Sequence, residues 1–257
     1  MLKNIKRQVR TWEAQGRYTR VTRLLTITWV ALHNASDYFR MGRLKTGLPS
    51  DDPTAAVYHV VRGPFGQPIR PMQVEQELAD LIMFVSKKQP KRLVEIGTAR
   101  GGTLMLLCRF AAPDATIISV DLPYGRNGGG YPRWKEPIYK TFAGVEQTLH
   151  LLRADSHSEQ TVEEVRSLLP GGKADFILID ADHSYAGVKT DYLNFSTMIA
   201  AGGTIALHDI VENGEDPSID VARFWGELVM QYPERTETMV HNPDQEGYGL
   251  GLLHFSE

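Results

Sequence analysis

Acids, histidines and glycines recur at the ends of short apolar runs, and their spacing suggests ligand chemistry. In LVEIGTARGGT (93–103), Gly97 lets the chain turn off a strand, while Gly101 and Gly102 open backbone N–H groups to a ligand at a helix start. The spacing reads E-x-G-x-x-x-G-G, so the G-x-G-x-x-G pattern that cradles a pyrophosphate is absent. Asp121 ends the next run, 24 residues after Gly97, where a carboxylate accepts both hydroxyls of a ribose or else caps the turn in DLP. Asp155-Ser156 ends a third run, where an acid accepts an exocyclic amine such as that of adenine or caps the helix beginning near Ser158. Asp180, Asp182 and His183 crowd a fourth end, and His208-Asp209 closes a fifth. If those last two ends are neighbours, Asp180, His208 and Asp209 converge. Their oxygens favour Mg²⁺, Ca²⁺ or Mn²⁺, and the histidine admits Mn, Fe or Zn; without an ion, the same acids would form an ionic and capping network.

The elements that position these residues follow from periodicity. Val74, Leu78, Leu81, Ile82 and Val85 fall at helical spacing, and Gln89-Pro90 ends that helix. Strands are expected at 92–97, 116–123, 149–155, 174–182 and 204–210, with helices at 103–112, from a Ser158 cap to Leu169, at 186–200 and at 219–231. Gly202-Gly203 should punctuate the chain ahead of the fifth strand. Strands alternating with helices give a parallel, doubly wound α/β sheet, because each crossover returns right-handed onto the same sheet. Ligands then bind beyond the carboxyl ends of the strands, where the acids lie. RTETMVH (235–241) and YGLGLLHF (248–255) flank a turn-rich spacer and should add a terminal antiparallel hairpin, seven strands in all.

Two segments are expected: a basic helical N-terminal extension and connector over 1–73, and a ligand-binding domain over 74–257. Residues 46–73 hold five prolines and three glycines and read as irregular. Residues 1–45 carry ten Lys and Arg against Glu13 and Asp37, a net +8, which leaves −11 for the rest of a chain whose total is −3. An acidic body is a poor match for nucleic acid. The run LLTITWVAL (24–32) is too short for a bilayer, which needs about 20 apolar residues, and no clean signal-peptide cleavage site follows it. The arm reads instead as a helix packed on the body, on a second copy in a homodimer, or on the inner membrane surface of an otherwise cytoplasmic protein. With one cysteine, Cys108, an intrachain disulfide or a cysteine-rich metal site is excluded.

These motifs carry a resemblance. Over about residues 74–255 the chain resembles class I S-adenosylmethionine (SAM)-dependent methyltransferases, and more narrowly the small-molecule O-methyltransferases grouped with the so-called cephalosporin hydroxylases and the macrocin- and mycinamicin-type sugar O-methyltransferases. VEIGTARGGT resembles the family's glycine loop, ISVDLP its ribose-binding acid, LRADSHS its adenine-side segment, and IDADHSYAGVKTD with GGTIALHD its most distinctive part. The resemblance implies that Glu95, Gly97, Thr98 and Gly101 line the methionine end of SAM, that Asp121 holds the ribose, and that Asp155 and Ser156 meet the adenine. In metal-dependent relatives an acid at the position of Asp180 and an acidic or Asp-Asn pair at the positions of His208-Asp209 bind Mg²⁺; here a histidine opens that pair, leaving Mg²⁺, another divalent ion or none.

The implied reaction is in-line methyl transfer to a hydroxyl of a sugar, glycolipid or glycosylated natural product, with His183 as base and Asp182 as second candidate. The loop 124–136, with Tyr124, Arg126, Tyr131 and Trp134, is positioned to close over that acceptor or to remain an ordinary surface loop. Two other readings stand beside it: a nicotinamide (NAD) oxidoreductase, against which the glycine spacing and terminal hairpin weigh, and a non-catalytic membrane-associated module with a degenerate SAM pocket.

Overall fold

A computed structural model describes residues 20–123 and 130–256, with side chains at Leu32 and from residue 35 onward. Tyr124, Arg126 and residues 1–19 of the basic arm lie outside the described residues. Seven strands form one sheet: β1 (Arg92–Ile96), β2 (Thr116–Val120), β3 (Thr148–Leu152), β4 (Ala174–Ile179), β5 (Ile199–His208), β6 (Thr236–Met239) and β7 (Leu250–His254), in the order β3-β2-β1-β4-β5-β7-β6. The first five are mutually parallel; β7 runs antiparallel between β5 and β6, so the terminal hairpin forms as the sequence predicts.

Strand order reverses between β1 and β4, because the chain builds outward through β2 and β3 before returning to lay β4 beside β1. That switch point is where an open α/β sheet leaves a crevice. The central strands are apolar on both faces because helices cover both. Leu93, Phe176, Leu178 and Ala206 face α1 (Arg20–Gly47), α2 (Pro53–Arg62), α3 (Glu75–Lys88) and α4 (Gly102–Phe110). Val94, Ile96, Ile177, Ile179, Ile205 and Leu207 face α6 (Glu159–Leu168), α7 (Tyr185–Ser196) and α8 (Val221–Gln231); the short α5 (Glu136–Tyr139) joins the first group.

Three local expectations are corrected. The connector 46–73 contains α2: Pro53 sits at its first turn, and the Asp52 carboxylate accepts the Ala55 N–H at 2.9 Å. Asp-Pro is a helix-start signal, but the prolines around it hid a face in which Ala56, Val57, Val60 and Val61 are buried. Gly202 and Gly203 lie inside β5 rather than ahead of it; pairing with β4 shifts register between Ala174 and Phe176, and Gly202 has a φ of +71°. Ser158 takes the N-cap position of α6 without a side-chain capping hydrogen bond.

Met41 and Leu44 of α1 join the same core cluster as the buried face of α2. Among the described residues, no helix is long and apolar enough to cross a membrane. Because Met41 and Leu44 are fully enclosed, Met41→Ala or Leu44→Ala should each cost about 2–5 kcal/mol in urea unfolding. A negligible loss would show that this end of α1 is an appendage rather than part of the core.

Candidate functional site

The glycine loop after β1 is built by close approach. Gly97 has a φ of +92°, and a Cβ there would collide with the backbone carbonyl of Asp180 at the tip of β4. Gly101, at φ +87°, lies against the Tyr139 ring in the same way, and the Tyr139 hydroxyl donates to the Arg100 carbonyl. Lys135 supports this arrangement from below, its Nζ donating to the Pro68 carbonyl at 3.0 Å and to the Tyr139 oxygen at 3.3 Å. Burial pushes the Lys135 ammonium down to about 8.

Glu95 is wholly buried under this loop. Its Oε2 accepts the Thr98 hydroxyl at 2.7 Å, Thr98 also bonds Ser119, and its Oε1 has no hydrogen-bond partner. Burial pushes the Glu95 carboxyl up to about 8, against the Thr98 hydrogen bond and reinforced by the charges of Asp121 and Asp180. Asp121, at the end of β2, accepts the Gly130 N–H at 3.0 Å. Burial raises it to about 6, although hydrogen bonds from backbone N–H groups pull the other way.

At the tips of β4 and β5 two acids meet two imidazoles. His183 Nδ1 lies 2.8 Å from Asp209 Oδ2, and its Nε2 lies 3.6 Å from Asp180 Oδ1. His208 Nδ1 lies 3.2 Å from Asp180 Oδ1 and 3.3 Å from Asp209 Oδ1; neither ring nitrogen meets hydrogen-bond geometry, so this pairing is ionic. Burial alone would raise both acids, but the two histidines outweigh it and hold Asp180 and Asp209 below the usual carboxylate range. Burial alone would lower both histidines, but the carboxylates raise His183 and raise His208 further still.

The donor atoms of Asp180, His183 and Asp209 lie within 4.8 Å of one another. His208 thus meets both acids as strand order suggested, buried as their charge partner, while the group whose ligand atoms could hold an ion is completed by His183.

Other expected residues lie apart from this cluster. The exposed Asp182 accepts the Ser184 N–H at 3.0 Å and packs on Gly187, where α7 begins. Asp155, also exposed, accepts the His157 N–H at 2.9 Å, so its side chain shapes a turn; Ser156 offers its carbonyl to Asn194 at 3.3 Å. Of the 124–136 loop, Tyr131 is buried against Tyr139, and Trp134 is partly buried against the same core cluster.

Two residues were missed because they carry no local motif: Gln73, whose Nε2 donates to Asp180 Oδ2 at 3.0 Å, and Glu77, buried and accepting the Gly249 N–H at 3.0 Å. Long-range contacts of this kind leave no spacing to find.

The Glu95 environment yields a pH test. Its carboxyl ordinarily titrates at about 4.5 and rises to about 8 in the fold, so between those values the folded state holds a proton that the unfolded state has released. The wild-type fold should lose stability as pH rises through that window, by at most about 1.4 kcal/mol per pH unit. Glu95→Gln removes this penalty. Unfolding at pH 5 and pH 8 should show the variant gaining on wild type as pH rises, and parallel pH profiles would refute the buried, protonated assignment.

Residues 94–210 match a family model described as a methyltransferase domain. An uncharacterized protein of Sinorhizobium fredii, y4gI, is 26% identical over 179 residues, covering 68% of this chain; the chain spans only 18% of that protein's length. Among solved structures, an O-methyltransferase from Bacillus cereus in complex with SAH superposes with a TM-score of 0.54 at 16% identity, over 82% of this chain and 94% of that one. An SAH-bound methyltransferase from Podospora anserina, PaMTH1, gives 0.50 at 16% identity, over 84% and 93%. Residues 94–210 are therefore similar to a methyltransferase domain, and they lie in a seven-stranded sheet with the fold of those two solved structures.

Proposed function

We propose that this chain transfers the methyl group of SAM to a hydroxyl oxygen of a small molecule: a sugar, a glycolipid or a glycosylated natural product. The observation that carries the reading is the meeting of the glycine loop with the Asp180–His183–His208–Asp209 cluster at the switch point, where Gly97 lies directly on the Asp180 backbone. A cofactor held by the first would face an acceptor oriented by the second.

The residues fit SAM. Asp121 would take the ribose hydroxyls, the Gly97–Gly101 loop and Thr98 would flank the methionine portion, and the orphaned Glu95 Oε1 leaves one buried polar atom for a hydrogen-bond partner on the cofactor. The turn at Asp155-Ser156 would border the adenine, with its backbone rather than the Asp155 side chain. Bound SAM supplies an electrophilic methyl group on a sulfonium. This chain's part is to align the acceptor oxygen and take its proton. His183 is placed for that: Asp209 anchors Nδ1, which leaves Nε2 to accept a proton once the imidazole is neutral. Asp182, committed to the start of α7, drops out as the base.

A divalent ion that takes mixed oxygen and nitrogen ligands also fits Asp180, His183 and Asp209. It would supply a Lewis acid for the acceptor oxygen. The second imidazole is the notable feature here, because His208 gives the acids a countercharge that needs no ion. Protons and metal compete for such imidazoles.

Calorimetric titration with SAM, and with NAD⁺ as control, tests the cofactor. SAM should bind, and Asp121→Ala should weaken it at least tenfold. Because ribose hydroxyls need the ionised carboxylate and Asp121 sits near 6, affinity should fall as pH drops below that value, by up to tenfold per unit. Heat with NAD⁺ but none with SAM would overturn the reading in favour of a dehydrogenase.

Transfer from labelled SAM to a panel of glycosides and catechols tests the base. His183→Ala should cut turnover by roughly 10²–10⁴ while leaving SAM affinity intact. If turnover survives a chelator, His183 is the base. Loss on chelation, restored by Mn²⁺ or Mg²⁺, makes it a ligand instead.

A further inference from the structure

The acceptor side of this site carries an aromatic residue that neither the motifs nor the family match singles out. Gly247, Tyr248 and Gly249 are three consecutive residues in the left-handed region, with φ of +75°, +61° and +84°. Glycine adopts that conformation freely; a tyrosine does so only when the surroundings impose it. Here they do. The Gly247 N–H donates to the Glu212 carbonyl at 2.8 Å, and the Tyr248 carbonyl accepts the Val211 N–H at 2.9 Å. Glu77 reaches across from α3 to take the Gly249 N–H at 3.0 Å and the Gln245 side chain at 2.8 Å.

All this fixes the direction of one side chain. The Tyr248 ring lies 6.1 Å from the His208 ring, centroid to centroid, at an interplanar angle of 59°. It nevertheless remains 42% exposed, so a large part of it is neither buried nor spent on covering the histidine. A residue needed only as cover for His208 would not require a strained backbone, since an apolar side chain on an ordinary loop would serve. Strain held in place by several independent contacts, beside ionisable groups in a cleft, is the pattern of a functional surface.

Resting on the methyl-transfer reading above, we propose that Tyr248 is a specificity-determining residue: its exposed ring is the platform on which a cyclic acceptor, a pyranose or an aromatic ring, lays its flat apolar face while its hydroxyl reaches the Asp180–His183–Asp209 cluster. Aromatic faces favour flat, weakly polar partners over flexible chains, so the contact selects by ring shape rather than by hydroxyl chemistry.

The test uses the full chain loaded with SAH and three diol probes: catechol and cis-1,2-cyclohexanediol, which carry their hydroxyls on a ring, and 1,2-butanediol, which does not. Dissociation constants come from ligand-observed NMR. Wild type should bind both cyclic diols more tightly than the acyclic one. Tyr248→Asn, in which asparagine accommodates the left-handed backbone, should weaken the cyclic diols about 3- to 10-fold and leave 1,2-butanediol and SAH within twofold. Tyr248→Phe should retain the cyclic preference.

No ring preference in wild type, an unchanged preference in Tyr248→Asn, or equal loss in Tyr248→Phe and Tyr248→Asn would each overturn the assignment. Failure of wild type to bind SAH would instead bring down the methyl-transfer reading beneath it.

Discussion

Two carboxylates at the tips of adjacent parallel strands are the constraint around which the rest of this structure is arranged. A parallel sheet sends every strand's carboxyl end to one edge, so Asp180 and Asp209 arrive side by side with no freedom to separate. Two anions held this close would ordinarily force one to take up a proton. Here His183 and His208 stand between them, and both acids are held ionised. The arrangement is neutral when both imidazoles are charged, and it is poised, because any ligand or ion that changes one protonation state changes the balance of all four groups.

The glycine loop is tied mechanically to that cluster. Gly97 rests on the backbone of Asp180, so a shift at the tip of β4 is felt at the turn off β1. Left-handed backbone marks the same region. Among the described residues, four non-glycine residues have positive φ: Gln89 simply closes α3, whereas Ala99, Asp209 and Tyr248 belong to the glycine loop, the acid cluster and the turn beside His208. Strain of this kind is retained where position matters more than stability.

Much of this was legible in the chain. The alternation of RLVEI, TIISV, ADFILI and the runs between them specifies a parallel sheet because each apolar run is too short for a helix and each intervening segment has helical spacing. Acids at the ends of those runs were bound to converge once the strands were parallel. What escaped had no local signature. Helix α2 was masked by five prolines, although its own Asp-Pro start was in view. That His183 joins His208 as a partner of both acids depended on how the turn after β4 folds back, which no spacing encodes. Asp155 and Asp182 kept the simpler roles their neighbours allowed, each accepting an N–H two residues ahead.

The segment before β1 does more than cover the sheet, and this explains why the core extends so far toward the N-terminus. Pro68 offers its carbonyl to Lys135, which supports Tyr139 beneath the glycine loop. Ile69 and Pro71 press on Gly102, where the loop becomes α4. Gln73 bonds Asp180 and receives the Thr103 hydroxyl at 3.4 Å, so one side chain spans the loop and the acid cluster. Glu77, one turn further on, holds the turn that carries Tyr248. Within ten residues the chain thus touches the glycine loop, the acids and the aromatic platform in sequence. The relative placement of the glycine loop and the acid cluster is therefore set by one continuous strap, packed on the core through Ile69 and Leu78. Effective alignment of two reactants depends on positions held within fractions of an ångström, and a strap anchored in the core supplies that rigidity where loops alone would not.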